Sequence, residues 1–368
     1  MGSTQSRVGT MRNQKWIVTG GCGFAGSNLV SSLLSDNIEV VVLDNLSRRG
    51  AAENLAWLRT IDAERKGTAC LRHIHADVRN EADVQTAFEL AGAGVTAVAH
   101  LAGQVAMTTS IARPRFDFEV NVLGSLNVLE VVRRHCSDAI VIYSSTNKVY
   151  GDLGHLRYVE TDTRWTTPDY PDGFDEKLNL DFSTPYGCSK GAADQYFTDY
   201  HRVFGLKTVV FRHSSIYGQR QFATFDQGWI GWFCSEALRQ AQQTERGEMV
   251  EEFTINGDGK QVRDLLHADD FVRFYRRVHD RSEDVAGKTF NIGGGMTRAM
   301  SVLELLQLLE KCLGTTLRFR RLPARSADQR VFVADHRKAS AALDIVPSVT
   351  VEDGIRRMLS WTDRTYKG

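Results

Sequence analysis

Trp16-Ile17-Val18-Thr19-Gly20-Gly21-Cys22-Gly23-Phe24-Ala25-Gly26 runs from a short apolar segment through a glycine-rich turn into an amphipathic stretch. Gly20, Gly23 and Gly26 stand at G-x-x-G-x-x-G spacing. Glycine suits all three positions, because the turn is tight, the backbone must come close to a pyrophosphate, and the next helix offers its first N–H groups and the positive end of its dipole. A glycine-rich turn alone says little, so the chain around it decides.

Around it, short apolar runs alternate with longer amphipathic stretches. Residues 38–43, 71–75, 96–101, 139–143 and 207–211 read as strands, and helices are expected from about 24, from about 51, near 81, over 114–135 and from about 186. Strand and helix in alternation make βαβ units, and hence a doubly wound parallel α/β sheet of the Rossmann type. Beyond Gly218 the alternation weakens, so a smaller mixed α/β substrate-binding domain is expected there. We divide the chain into a flexible lead over 1–14, a dinucleotide domain over 15–212 and a mainly substrate-binding part over 213–368 that crosses back to the first. Ser301 with Glu304, and Thr350 with Asp353, mark two late helix starts. Residues 151–185 show no periodicity but carry Tyr158, Trp165, Tyr170 and Phe174. An ordered flap near a binding site and a loop packed on the surface fit that pattern equally.

The composition narrows the class. Lys and Arg together number 45, as do Asp and Glu, so the net charge is zero. Proteins that neutralise nucleic acid or anionic membranes carry a basic surplus, which argues against both partners. The six cysteines are scattered, without C-x-x-C or a Cys/His cluster, so no metal site is expected. No long apolar run or signal-like start is present, and the expectation is a reduced cytoplasmic protein.

The second strand is followed by Asp44, eighteen residues past Gly26. A carboxylate there accepts bonds from the adenosine ribose and favours NAD, although Arg48 and Arg49 could serve a 2′-phosphate; we read both as solvated loop charges. Asp77 suits an adenine contact and a turn or helix cap equally. Tyr186-Gly-Cys-Ser-Lys190 places a phenol and an ammonium one helical turn apart, after Ser144-Ser145-Thr146 at the end of the fifth strand. The ammonium would lower the phenol's pKa, Tyr186 would act as base on a sugar hydroxyl, and Thr146 would orient that oxygen. His267, His73 and His75 read as structural.

Taken together, these motifs resemble the extended short-chain dehydrogenase/reductase family of sugar-nucleotide epimerases and dehydratases, over residues 16–361. The resemblance implies NAD contacts from Gly20, Gly23, Phe24, Ala25, Gly26, Asp44, Asn45, Asp77, Val78, Leu101, Ala102, Gly103, Tyr186, Lys190 and His213, and catalysis by Thr146, Tyr186 and Lys190. It implies substrate contacts from Gln104, Thr146, Asn147, Ser215, Arg220, Gln221, Arg263, Arg325 and Asp328, with Arg220, Arg263 and Arg325 converging on a diphosphate. Dehydratases of the family look to have an Asp-Glu pair where Asn147 and Lys148 stand. Residues 100–110, 211–218 and 220–232 look most like the CDP-paratose 2-epimerase branch, and Ser215 replaces the Asn of the common UDP-sugar 4-epimerases. The implied substrate is a CDP-activated 3,6-dideoxy sugar. A UDP-hexose 4-epimerase and a non-catalytic NAD(H) sensor are the alternatives. The family also implies a homodimer or higher homo-oligomer, through helices 114–135 and 186–204.

Overall fold

The computed structural model describes residues 14–65, 70–324 and 328–366; the flexible lead expected over 1–14 falls almost wholly outside them. Seven parallel strands form the central sheet: β1 (Lys15–Thr19), β2 (Glu39–Leu43), β3 (Leu71–Ile74), β4 (Ala97–His100), β5 (Ile140–Thr146), β6 (Thr208–His213) and β7 (Lys288–Ile292). Their spatial order is β7-β6-β5-β4-β1-β2-β3, so the order reverses between β1 and β4. A crevice opens at such a reversal beyond the carboxyl ends of the strands, and ligands of open α/β sheets bind there.

Helices cover both faces: α1 (Phe24–Ser35), α2 (Ala51–Glu64), α3 (Glu81–Ala91), α4 (Gly124–His135) and α5 (Thr184–Phe204). One core packs Val18, Val40, Val42, Leu29, Leu33 and Phe274 against the sheet, and the other packs Ile17, Val41, Val98, Val128, Val132 and Phe197 on the opposite face. The alternation of Ile17 and Val18, or of Val41 and Val42, between the two cores follows from the two-residue period of a strand. Because both faces are covered, the strands read as continuous apolar runs.

The helix expected over 114–135 is interrupted. Pro114–Phe118 is α-helical, Glu119–Leu123 is a π-helical turn, and α4 follows. Asn121 accounts for the wider turn, since its side chain is buried and bonded to Gln104, Asp117 and Ser189. π-turns of this kind occur mostly at functional sites.

The second half adds α6 (Trp229–Glu245), α7 (Ala268–Asp280), α8 (Val302–Leu313) and α9 (Val351–Tyr366). Here the strand Val262–His267 pairs with Ser215–Tyr217, Ala299–Ser301 and Val331–Phe332, and Phe253–Asn256 pairs with Phe319–Leu322. Ser301 and Glu304 form the full capping box of α8, and Thr350 Oγ1 accepts from Asp353 N at the start of α9. β7 returns to the Rossmann sheet beside β6. The stretch 151–185 is ordered: it contains the hairpin Val159–Glu160 with Trp165–Thr166, and buried Phe174 packs on Phe332 and Tyr170.

Candidate active site

The glycine turn sits at the β1 end of the crevice. Gly20 has φ +68°, and a Cβ there would lie 2.6 Å from Ala102 N; one on Gly26 would lie 2.2 Å from Gly20 O. Any side chain would fill the cradle between the turn and the β4 loop. Gly23 caps α1 without a side-chain bond, which leaves the first-turn amides for an anion. Asp44 is held at the end of β2 by Cys22 N at 2.9 Å and Leu46 N at 2.8 Å. This geometry fits a dinucleotide: diphosphate at the α1 terminus, ribose at Asp44.

Several expected cofactor contacts are committed elsewhere. Asp77 receives Arg79 Nη2 at 2.7 Å and Asn45 Nδ2 at 3.0 Å, and the Arg79 hydrogen bond above all holds its carboxyl down at about 2. Asp77 is built into a turn with Arg79, and Asn45 is bound to it. Val78 is buried over Gly124, and its carbonyl accepts from Asn127 Nδ2. Leu101, Ala102 and Gly103 line the crevice after β4, the first two tied to Thr19. His213 has one ring nitrogen 3.2 Å from Ser144 Oγ and the other 3.1 Å from Tyr275 OH, so the ring is a wall of the crevice with both nitrogens engaged.

β5 delivers Thr146 to the crevice, and the first turns of α5 deliver Tyr186 and Lys190. Tyr186 lies buried beside Thr146: burial pushes the phenol up to about 12, and the Thr146 hydroxyl draws it back. Arg48 adds a small further pull on the phenol from the loop after β2, where its side chain is exposed, as a loop charge would be. Lys190 lies elsewhere than expected: its ammonium donates to the Ser144 carbonyl and sits 4.3 Å from the Tyr143 ring centroid. Burial brings it down to about 7, while Asp117 and Asp194 pull it back up.

On the substrate side, Gln104 is turned inward. Its amide donates to Asp117 Oδ1 at 2.7 Å and Ala106 O at 2.9 Å and accepts from Ala106 N, so both of its donors are used within the protein. Asn147 Nδ2 donates to Gln329 Oε1 at 2.8 Å, and Ser215 Oγ accepts from Trp229 Nε1 at 3.1 Å. Gln221 donates to Ile216 O. Arg263 Nη2 meets Asp328 Oδ1 at 2.7 Å. Arg325 lies outside the described residues.

Arg220 does not join this group. Its backbone is left-handed at φ +68°, and its guanidinium stacks 4.0 Å from the ring centroid of Trp57 on α2. The expected three-arginine convergence therefore loses one member. The segment around it is pinned across the dinucleotide cradle: Gln219 O accepts from Asn28 of α1 at 3.0 Å, and Arg220 O accepts from Asn54 of α2, which also bonds Cys22 O.

Two residues escaped the sequence reading. Lys148 was noted only for replacing an acid, yet its Nζ lies 3.2 Å from Asp328 Oδ1 and 3.4 Å from Gln329 Oε1. Gln329, fully buried, ties the Asn147 and Gly151 carbonyls together. The position of Lys148 two residues past Thr146 was the available signal.

A Rossmann cradle, a Thr-Tyr-Lys cluster and a second cationic pocket define a dinucleotide-dependent enzyme acting on a phosphorylated small molecule. Residues 16–293 match the NAD dependent epimerase/dehydratase family, and the chain belongs to it, with NAD as cofactor. It is 51% identical over 348 residues, 95% of this chain and 99% of the relative, to CDP-paratose 2-epimerase of Salmonella typhi. Among solved structures it resembles UDP-glucose 4-epimerase of Thermotoga maritima with UDP-glucose (28% identity, TM-score 0.77, 96% of this chain and 99% of that one). It also resembles the Thermus thermophilus enzyme with NAD (26%, 0.74, 95% and 98%).

Proposed function

We propose that the chain is an NAD-dependent nucleotide-sugar epimerase that inverts C2 of CDP-paratose to give CDP-tyvelose. The observation that carries this is the end-to-end 51% identity to the Salmonella typhi CDP-paratose 2-epimerase, against 28% for the UDP-glucose 4-epimerase of Thermotoga maritima. Asn147 and Lys148, in place of two carboxyl groups, remove the acid an elimination would need.

The substrate's chemistry fixes the position of oxidation. A 3,6-dideoxy sugar has no hydroxyl at C3, and a ketone at C4 would not acidify C2, so C2 itself must be oxidised. When bound, NAD supplies a reversible two-electron acceptor for the C2 hydrogen. Tyr186 takes the proton of the C2 hydroxyl, and Thr146, beside Tyr186, orients that oxygen. Lys190 fixes the start of α5 against the Ser144 carbonyl and keeps a positive charge near the crevice. Arg263 and Asp328 hold the nucleotide end while the pyranose turns its other face; Tyr186 then returns the proton to the inverted alcohol. Residues 15–212 chiefly bind the dinucleotide, and residues 213–368 chiefly bind the nucleotide sugar.

With C2-deuterated CDP-paratose, the product is expected to retain the label at C2 with no added cofactor. Loss of deuterium to solvent overturns the scheme, and turnover of UDP-galactose in preference to CDP-paratose overturns the substrate.

The assembly we propose is a homodimer through the face made by the helical segment 114–135 and α5. Phe118, Leu123, Tyr196, Val203 and Phe204 are exposed there, with Val203 at 61%. Tyr196→Lys together with Val203→Lys is expected to halve the mass measured by light scattering. No helix among the described residues is long and apolar enough to cross a membrane, and each cysteine is a free thiol, in keeping with a cytoplasmic enzyme.

A further inference from the structure

Three charged side chains from distant parts of the chain meet beside the catalytic cluster. Lys148 comes from the 3₁₀ turn Asn147–Tyr150, Arg263 from the strand Val262–His267, and Asp328 from the loop before Val331–Phe332. Both cations reach the same carboxylate oxygen, Lys148 Nζ at 3.2 Å and Arg263 Nη2 at 2.7 Å. The side chains of Lys148 and Arg263 are only 18% and 11% exposed, so this cluster of two cations and one anion leaves a positive charge partly withdrawn from water. Such a surplus is stabilised by an anion. Asp328 and Gln329 occupy two of the ammonium's three N–H directions. The backbone of Lys148 is bonded to the reacting end as well, since its N–H donates to Thr146 Oγ1 at 3.3 Å.

We propose that Lys148, paired with Arg263, binds the diphosphate of the nucleotide sugar and is a substrate-binding residue of this enzyme. The inference rests on the nucleotide-sugar reading above. It fills the vacancy left by Arg220, whose guanidinium is stacked on Trp57. It also gives the anchor a placement suited to epimerisation. One turn of chain holds the diphosphate through Lys148 and the reacting oxygen through Thr146, so the sugar turns about a point fixed close to the base.

A pH dependence follows. Among the described residues, the charged groups facing Lys148 are Asp328 and Arg263. Burial brings the ammonium down to about 8, Asp328 favours its charge and Arg263 opposes it. Above pH 8 the ammonium loses its proton and its hold on the diphosphate, whereas a guanidinium in its place would stay charged. CDP keeps a constant charge over that range, its last phosphate ionisation lying near pH 6.

The test is calorimetric titration of the full-length, NAD-loaded protein with CDP and with cytidine, at pH 7 and pH 9. Lys148→Met is expected to weaken CDP by about 10- to 100-fold at pH 7 and to leave cytidine unchanged. Wild-type affinity for CDP is expected to drop about tenfold from pH 7 to pH 9, and Lys148→Arg to bind CDP equally at both. Equal losses for CDP and cytidine in Lys148→Met would mean that Lys148 only props Asp328, and would overturn the proposal; so would an undiminished pH slope in Lys148→Arg. If Lys148→Met does not fold, that slope decides alone. UDP and uridine titrated in parallel keep the two readings apart. Preference for UDP defeats the CDP-sugar reading, while a Lys148→Met loss confined to UDP over uridine still upholds the diphosphate contact.

Discussion

Tyr186 is the residue on which the chemistry turns, and its surroundings say how its proton is managed. Burial drives the phenol up, and the neighbouring Thr146 hydroxyl above all draws it back. Tyr186→Phe removes only the oxygen, so the protein should still bind NAD while turnover falls by about 10²- to 10⁴-fold. The assay is product formation beside cofactor content after gel filtration; a variant with near-normal turnover would remove the tyrosine from the role of base. Tyr186 and Thr146 were legible because a local motif and a strand end placed them. Lys148 was not, because what gives it its place is far away in sequence: Asp328 stands 180 residues beyond it. Gln104 turns inward for a related reason, since its partner, Asp117, comes from the separate helical segment Pro114–Phe118.

At the scale of elements, β5, β6 and α5 are locked together by a buried ion pair. Arg212 Nη2 lies 2.9 Å from Asp194 Oδ1, with side chains 7% and 0% exposed, and Ser145 Oγ donates to the same carboxylate at 2.7 Å. From Arg212 the chain of bonds continues through Tyr150 to Asn291, and from there to the Phe174 carbonyl in the ordered stretch after β5. Asp194→Ala leaves the guanidinium buried without its partner and is expected to cost about 3–5 kcal/mol in urea unfolding; a loss below 1 kcal/mol would show that water or rearrangement replaces the carboxylate. The strands and helices were readable from their periods, because each apolar stripe is set by the face it buries. The π-turn at Glu119–Leu123 was hidden, since a single widened turn leaves the apolar pattern on either side intact. Its cause, the bonds of Asn121 to Gln104 and Ser189, is tertiary.

For the molecule as a whole, the two halves meet around Asp264, fully buried on the strand Val262–His267, where Oδ2 accepts from Gly295 N at 3.1 Å. Burial pushes its carboxyl up to about 6. From about pH 4 to 6 the folded protein holds a proton that the unfolded chain has released, so stability falls as pH rises through that window and stays lower above it. Asp264→Asn is neutral throughout and is expected to gain about 2–3 kcal/mol at pH 7.5 with little change at pH 4. Urea unfolding at the two pH values measures it, and an equal effect at both would mean that the carboxyl is not protonated in that window. The Rossmann half was visible in its repeating units, whereas the second half, built on pairings such as Leu265 with Ser215 and Val262 with Val331, has no such repeat to read.

The segment Gln219–Arg220, bonded to Asn28 and Asn54, belongs to the second half yet is fastened to the first two helices of the dinucleotide half. If the dinucleotide leaves past this segment, those bonds and the stack of Arg220 on Trp57 have to open with it. Cofactor residence should therefore outlast many catalytic cycles, so that each molecule reuses the one electron pair it was charged with and its flux is insensitive to the redox balance of its surroundings.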